Sequence, residues 1–282
     1  MGRSKTGRNL GANCKRSLIV YYTHPVLTEI ITTLKSWRLI HLMGMASIRA
    51  RYARSKFGQT WLVVGNFLFI VAIAAVWALV WKIPIRKYLP YVGVGHLIYL
   101  FVVQTIAESS GIFIADARFY LNEKKSFFLS LFAHIYRNFI VFAHNIPILL
   151  LLLVYGDTSN INLDFKFMLA LCFLVLFMFF SSYVVAVVCV RFRDMIQLVN
   201  LLFQVIFLVT PVMWQIGFIG NEFESYVLIN PFAAILESIR NPLIGIAVPE
   251  LALVSLFCWS LSVAFLAFFA YKKMHRNIIF WV

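Results

Sequence analysis

The chain has 282 residues, 62% hydrophobic and 13% charged, with a formal net charge of +14. Soluble domains carry about 25% charged residues. Six uncharged runs, 57–81, 88–107, 138–156, 167–190, 195–221 and 251–271, are each about as long as a membrane-crossing helix, so a soluble globular protein is excluded. The positive charge does not mark a nucleic-acid binder either: twenty Lys/Arg lie on one side of these runs and five on the other, the asymmetry that keeps the basic side in the cytoplasm.

The expected fold is therefore an all-α integral membrane protein of the plasma membrane (the bacterial inner membrane). It has six transmembrane helices at about 61–81, 90–110, 136–156, 167–190, 195–217 and 251–271, and both termini are cytoplasmic. Residues 1–24 read as a basic cytoplasmic tail. Its Gly2–Gly7 stretch echoes a phosphate loop, but Arg8-Asn9 stand where that loop needs Lys-Ser/Thr, so no nucleotide site is expected in this chain. The first apolar run begins after some fifty mostly polar residues, which argues against a cleaved signal peptide. Cys14, Cys172, Cys189 and Cys258 show no paired spacing, so neither a disulfide framework nor a zinc site follows.

Residues 25–56 read as an amphipathic interface helix and a basic linker. Leu27, Ile30, Ile31, Leu34 and Trp37 recur at helical spacing from Pro25 to His41, with Glu29, Thr33, Lys35 and Arg38 elsewhere around the wheel. Arg49, Arg51 and Arg54 then gather before the first span, with Trp61 at its boundary. They either anchor the chain by charge alone or hold an anionic headgroup at the cytoplasmic entrance.

A single membrane domain occupies 57–282. Its second span carries Glu108, near the cytoplasmic end beside Ser109 and Ser110; an intramembrane carboxylate is functional by default, and a solvated or hydrogen-bonded one is the alternative here. The inner connection, about 113–125, has Phe113, Ala117, Tyr120 and Leu121 on one helical face and Asp116, Arg118, Glu123 and Lys124 around it. It packs beneath the bundle or serves as the handle for a partner. The six histidines lack ligand spacing, and no nucleophile–base or paired-carboxylate constellation is present. The chain is not expected to be an enzyme or to hold a cofactor or metal of its own.

In the fifth span Phe203, Phe207, Thr210 and Trp214 fall at i, i+4, i+7 and i+11, with Asn200 a turn earlier. The stripe is either a packing or lipid face, or the wall of a sugar-compatible channel that buries carbohydrate C–H surface on aromatic rings. Thr210-Pro211 interrupts that run. The next apolar piece, Tyr226–Leu236, holds Asn230-Pro231 and reaches only about 16 Å, half of a ~30 Å hydrocarbon core. Residues 226–248, including Arg240, therefore read as re-entrant helices between spans five and six. Backbone of that kind survives at membrane depth only when buried in protein or lining a wet cavity.

The motifs Arg49-x-Arg-Tyr52-x-x-Ser55-x-x-Gly58-x-x-Trp61, Arg191-Phe-Arg-Asp194, Thr210-Pro-Val-x-Trp214 and Asn230-Pro-Phe followed by Arg240 occur in that order. From about Leu39 to the C-terminus the chain resembles the permease subunit of type-2 ABC exporters of lipid-linked polysaccharides: O-antigen, capsule and teichoic acid chains. The resemblance implies a two-fold dimer of six-span subunits with a channel along the interface. It also implies two copies of a separate cytoplasmic ATPase that carries ATP and Mg. That ATPase would dock at Asp116, Arg118, Asn122, Glu123 and Lys124, and the resemblance favours the headgroup reading of Arg49, Arg51 and Arg54. Two alternatives stand beside an exporter of lipid-linked glycan: an exporter of a small molecule or drug, and a membrane-embedded transferase active without any ATPase.

Overall fold

The computed structural model describes residues 26–53, 55–118, 120, 126–156, 161–218 and 220–282, and all regular structure among them is helical. The principal helices are α1 (Val26–Lys35), α2 (Trp37–Tyr52), α3 (Thr60–Trp81), α4 (Ile85–Glu108), α5 (Phe127–Ala143), α6 (Ile146–Tyr155), α7 (Phe165–Arg191), α8 (Met195–Val209), α9 (Pro231–Leu243) and α10 (Glu250–Met274). Among the described residues five helical stretches are long and apolar enough to cross a membrane: Thr60–Trp81, Ile85–Ala115, Phe127–Tyr155, Phe165–Arg191 and Glu250–Trp281.

Local chemistry sets the limits of these helices. Chain reversal after α3 is made at Lys82, which takes a left-handed conformation (φ 53°), and Pro84 then opens α4. The hydroxyls of Ser109 and Ser110 bond back to the Ile106 and Ala107 carbonyls, both at 2.6 Å, where α4 tightens into a 3₁₀ turn and continues to Ala115. Side-chain caps open α5, where Ser126 accepts from the Phe128 N–H, and α7, where Asp164 accepts from the Phe167 N–H. Between α5 and α6, Asn145 both bonds back to the Val141 carbonyl and accepts from Asn66 of α3 at 2.9 Å.

Two differences from the sequence reading stand out. The interface helix does not end near His41: α2 runs to Tyr52 because Ile40, Gly44 and Ile48 line one face buried against α5. A Cβ on Gly44 would sit 2.8 Å from the Tyr136 ring and 3.2 Å from the Ala133 carbonyl oxygen, so glycine permits this close approach. On α1, Ile30 packs on the bundle while Ile31, Leu34 and Trp37 at the start of α2 stay exposed, as suits an interfacial helix. The second difference lies in α8, which stops at Val209. Thr210 precedes a proline and is extended (ψ 136°), since proline disfavours helical geometry in the residue before it. Fifteen residues span about 22 Å, short of the ~30 Å core, so the run expected to cross as 195–217 leaves the α-helix at Thr210 and reaches its end in a short 3₁₀ turn, Ile216–Phe218.

The bundle has two ends. The 55–59 and 192–194 turns and the last helical turn, Ile278–Trp281, lie at one end, the basic end. There Glu29 of α1 lies beside His275, so the two ends of the described chain meet. At the opposite end Arg86 donates to the Tyr155 carbonyl at 3.3 Å and Lys166 pairs with Glu250 at 2.8 Å. Between them α9 is the most enclosed helix. Phe232 to Pro242 are all buried, among α4, α7 and α10. Its C-terminus reaches the opposite end, where the Asn162 N–H donates to the Pro242 carbonyl at 3.0 Å. Its N-terminus lies deeper, with the Phe232 ring against Tyr99, Phe177 and Phe203. The chain after α8 thus dips into the bundle and returns by the end at which it arrived.

Candidate functional site

The break after α8 frees backbone carbonyls in an apolar setting, where each unsatisfied group costs several kcal/mol. Three side chains from neighbouring helices satisfy them. Arg240 of α9 donates to the Pro211 carbonyl at 2.7 Å, Tyr88 to the Met213 carbonyl, and Tyr91 to the Trp214 carbonyl at 3.2 Å. Asn230, the cap of α9, donates to the Thr210 hydroxyl at 3.0 Å, and that hydroxyl donates back to the Ile206 carbonyl. The irregular segment is therefore a fixed structure.

Arg240 is the centre of this arrangement and has no solvent exposure. A buried cation needs compensation. Glu237, one turn earlier, pairs with it, and Asn241 donates to the other Glu237 oxygen at 2.6 Å. The guanidinium carbon lies 3.7 Å from the centroid of the Tyr91 ring, a cation–π contact in a desolvated site. Room for it depends on Gly95, where a Cβ would come within 3.1 Å of an Arg240 nitrogen. Arg240 is one of the five Lys/Arg on the outer side of the spans, and within the stretch between α8 and α10 it is buried against Gly95, Tyr91 and Glu237. Asn230 caps α9 and Pro231 is its first residue. Sequence reasoning passed over Glu237, Tyr88 and Tyr91. The acid–base pair at i, i+3 inside an apolar stretch was the available signal for Glu237, whereas the tyrosines sat in an uncharged run with nothing to distinguish them.

Beside the break is a cavity of about 390 Å³ walled mainly by aromatic rings. Trp77 and Trp81 of α3 stack with centroids 5.8 Å apart, and Phe218 stacks on Trp81 at 4.7 Å. Of the five residues expected to line a channel, Phe207, Thr210 and Trp214 border this cavity. Phe203 instead packs inward on Phe232, and Asn200 is exposed one turn before it on α8. Helical spacing alone put all five on one side, but α9 claims the Phe203 face. The tryptophans of α3 were visible as an i, i+4 pair, although nothing in the sequence placed them opposite α8.

At the basic end, Glu108 bridges two arginines: Arg51 of α2 at 3.1 Å and Arg137 of α5 in closer contact. Arg137 also lies 3.0 Å from His134 Nδ1, whose Nε2 is 2.8 Å from the Thr105 carbonyl oxygen. Glu108 is thus hydrogen-bonded and charge-paired rather than isolated in hydrocarbon. Arg49 is exposed in the last turn of α2, and Arg54 lies outside the described residues. Among the residues expected to couple to a partner, Asp116 is half-buried and Arg118 exposed, while Asn122, Glu123 and Lys124 are outside the described residues. Burial pushes the Asp116 carboxyl up from its ordinary value, against the opposing pull of a Ser130 hydrogen bond and the Arg137 charge.

A third polar cluster ties the chain ends together. The Glu29 carboxylate accepts from the Ser126 hydroxyl at 2.6 Å and the Tyr271 hydroxyl at 3.1 Å, and lies 3.4 Å from His275 Nε2. Burial raises the Glu29 carboxyl, but the hydrogen bond and charge of His275, with the Ser126 and Tyr271 hydrogen bonds, outweigh it and hold the group below its ordinary value.

Apolar spanning helices joined by a discontinuous one, with its freed carbonyls satisfied inside the protein, are a construction found in membrane transport proteins. The chain belongs to the ABC-2 type transporter family, whose profile matches residues 38–244. It is similar to two proteins of Klebsiella pneumoniae, each called O-antigen export system permease protein RfbA. The identities are 25% and 24% over 206 residues, covering 72% of this chain and 79% of each relative. The protein is thus the permease of an ABC exporter, a multi-pass inner-membrane protein, and its family implies a cytoplasmic ABC ATPase as partner.

Proposed function

We propose that this chain is the membrane half of an ATP-driven exporter that moves a lipid-linked polysaccharide, O-antigen-like in character, out of the cytoplasm. The observation that carries the reading is the aromatic cavity at Trp77, Trp81, Trp214 and Phe218, set beside a rigidly held break in α8. Stacked rings offer apolar area to sugar faces with few polar groups to trap them, which suits a long chain that must slide. The names of the two relatives support the same cargo class.

In this reading two copies of the chain pair around the conduit and two ATPase subunits supply ATP and Mg. Both termini face the cytoplasm, as the clustering of basic residues at one end supports. The lipid-phosphate end of the cargo enters near Arg49, Arg51 and Arg54. Arg51 shares its charge with Glu108, so the Arg51–Glu108–Arg137 group presents one net positive charge. The ATPase docks at Asp116, Arg118, Asn122, Glu123 and Lys124.

The test is reconstitution with the cognate ATPase in proteoliposomes, comparing export of the lipid-linked glycan by wild type, Trp81→Ala and Trp214→Ala. Export should fall at least several-fold in both variants while the protein remains folded. Undiminished export would remove the aromatic wall from the account, and ATPase stimulation by small apolar molecules alone would favour the small-molecule exporter.

A further inference from the structure

A second cavity, of about 290 Å³, opens near the basic end between four helices. Its walls include Ile30 of α1, Phe128 of α5, Phe180 and Tyr183 of α7, and Ala264 and Phe268 of α10. The lining is almost wholly carbon. The hydroxyls of its two tyrosines are already engaged, Tyr183 with His275 and Tyr271 with Glu29, so the space asks for an apolar occupant.

The shape of the α10 wall indicates what that occupant is. Ala264, Ala267, Phe268 and Tyr271 follow one another at 0, +3, +4 and +7, the spacing of a single helix face. Four residues beyond Phe268, at the edge of that face, is Lys272, which is exposed. Lys273 and Arg276 follow, also exposed. The slot is therefore apolar along its length and cationic at the basic end, where α1 lies as an interfacial helix. Phe265, Phe268 and Phe269 are all exposed on the adjoining surface of the spanning stretch Glu250–Trp281, so the slot adjoins the lipid-facing surface of the bundle.

We propose that this slot holds one acyl chain of an anionic phospholipid from the surrounding bilayer, with the headgroup phosphate on Lys272. An apolar cleft edged by an ammonium matches a lipid chain and its phosphate; a zwitterionic headgroup brings its own cation beside the phosphate and so offers Lys272 no net counter-charge. Because Ile30 forms one wall and α5, α7 and α10 the others, the bound chain joins the interface helix to the bundle. The site is separate from the aromatic cavity, which is lined by other residues, and does not depend on the identity of the cargo.

The experiment is native mass spectrometry of the protein released from nanodiscs of phosphatidylglycerol or of phosphatidylcholine, counting retained lipids. Wild type should keep one phosphatidylglycerol and at most a tenth as much phosphatidylcholine. Ala264→Phe, which fills the slot, and Lys272→Glu, which reverses the charge on an exposed residue, should each lower phosphatidylglycerol retention at least tenfold while eluting as the same folded species. Should Ala264→Phe fail to fold, Lys272→Glu still decides. Retention at the wild-type level in a folded variant overturns the proposal. So does equal retention of phosphatidylcholine, or displacement of phosphatidylglycerol by an equimolar polyprenyl phosphate, which would make the slot a cargo site.

Discussion

Replacing Arg240 by methionine tests how the break after α8 is held. The change keeps most of the side-chain length but removes three interactions at once: the 2.7 Å hydrogen bond to the Pro211 carbonyl, the pair with Glu237, and the contact with the Tyr91 ring. Glu237 is left as a buried carboxylate, its side chain about 10% exposed, with Asn241 as its remaining polar partner. Breaking a buried pair from one side costs about 3–5 kcal/mol, and an unsatisfied carbonyl adds roughly 1–3 kcal/mol. The Asn241 hydrogen bond offsets part of this, so the expected loss for Arg240→Met is about 3–5 kcal/mol. The double variant Glu237→Leu/Arg240→Met removes the orphaned charge and should recover about 2 kcal/mol or more of the loss. Denaturant unfolding in mixed micelles measures all three proteins. A loss under ~1 kcal/mol for the single variant, or a double variant no more stable than the single one, would refute the clamp.

Other outcomes follow from the same contacts. Gly95→Val should drive a side chain into Arg240, which would lie 3.1 Å from its Cβ, and cost about 1–3 kcal/mol as overpacking. At the basic end, Arg137→Leu should destabilise by about 3 kcal/mol or more, whereas Arg51→Leu should cost less than ~1 kcal/mol. The Arg137 side chain is 15% exposed and the Arg51 side chain 40%, and solvent screens the more open pair. Glu29 gives a pH dependence with a definite sign. Its folded carboxyl is held below the ordinary value of 4.5, so it stabilises above that value and the contribution is lost as pH falls through the lower folded value. A pH series of unfolding midpoints should show that loss in wild type and a flatter profile in Glu29→Gln.

Much of the architecture was legible because the bilayer imposes a simple rule. Five of the six long uncharged runs fall on helices long enough to cross, and Asn230-Pro231 marks the start of α9, whereas Thr210-Pro211 ends α8 short of the expected 195–217 span. The placement of α8 relative to α9 was not legible. Phe203 and Phe207 share one stripe in the sequence, yet Phe203 is covered by Phe232 while Phe207 borders the aromatic cavity; only the packed helices decide between them. Arg240 reads from the sequence as part of the re-entrant stretch, but what surrounds it there was not legible, because Tyr91 and Gly95 lie some 145 residues away. Glu108 could be assigned only once α2 and α5 had brought Arg51 and Arg137 to it.

The central claim is that the chain between α8 and α10 enters and leaves the membrane by one face. Ser225 and Ile246 flank α9 and are both exposed, and Arg276 at the basic end serves as the reference. Cysteines placed singly at these three positions in a cysteine-free background can be treated with a membrane-impermeant maleimide in sealed, right-side-out vesicles and again after permeabilisation. The account predicts that 225 and 246 react in sealed vesicles and 276 only after permeabilisation. Reaction of 225 and 246 from opposite faces would contradict it.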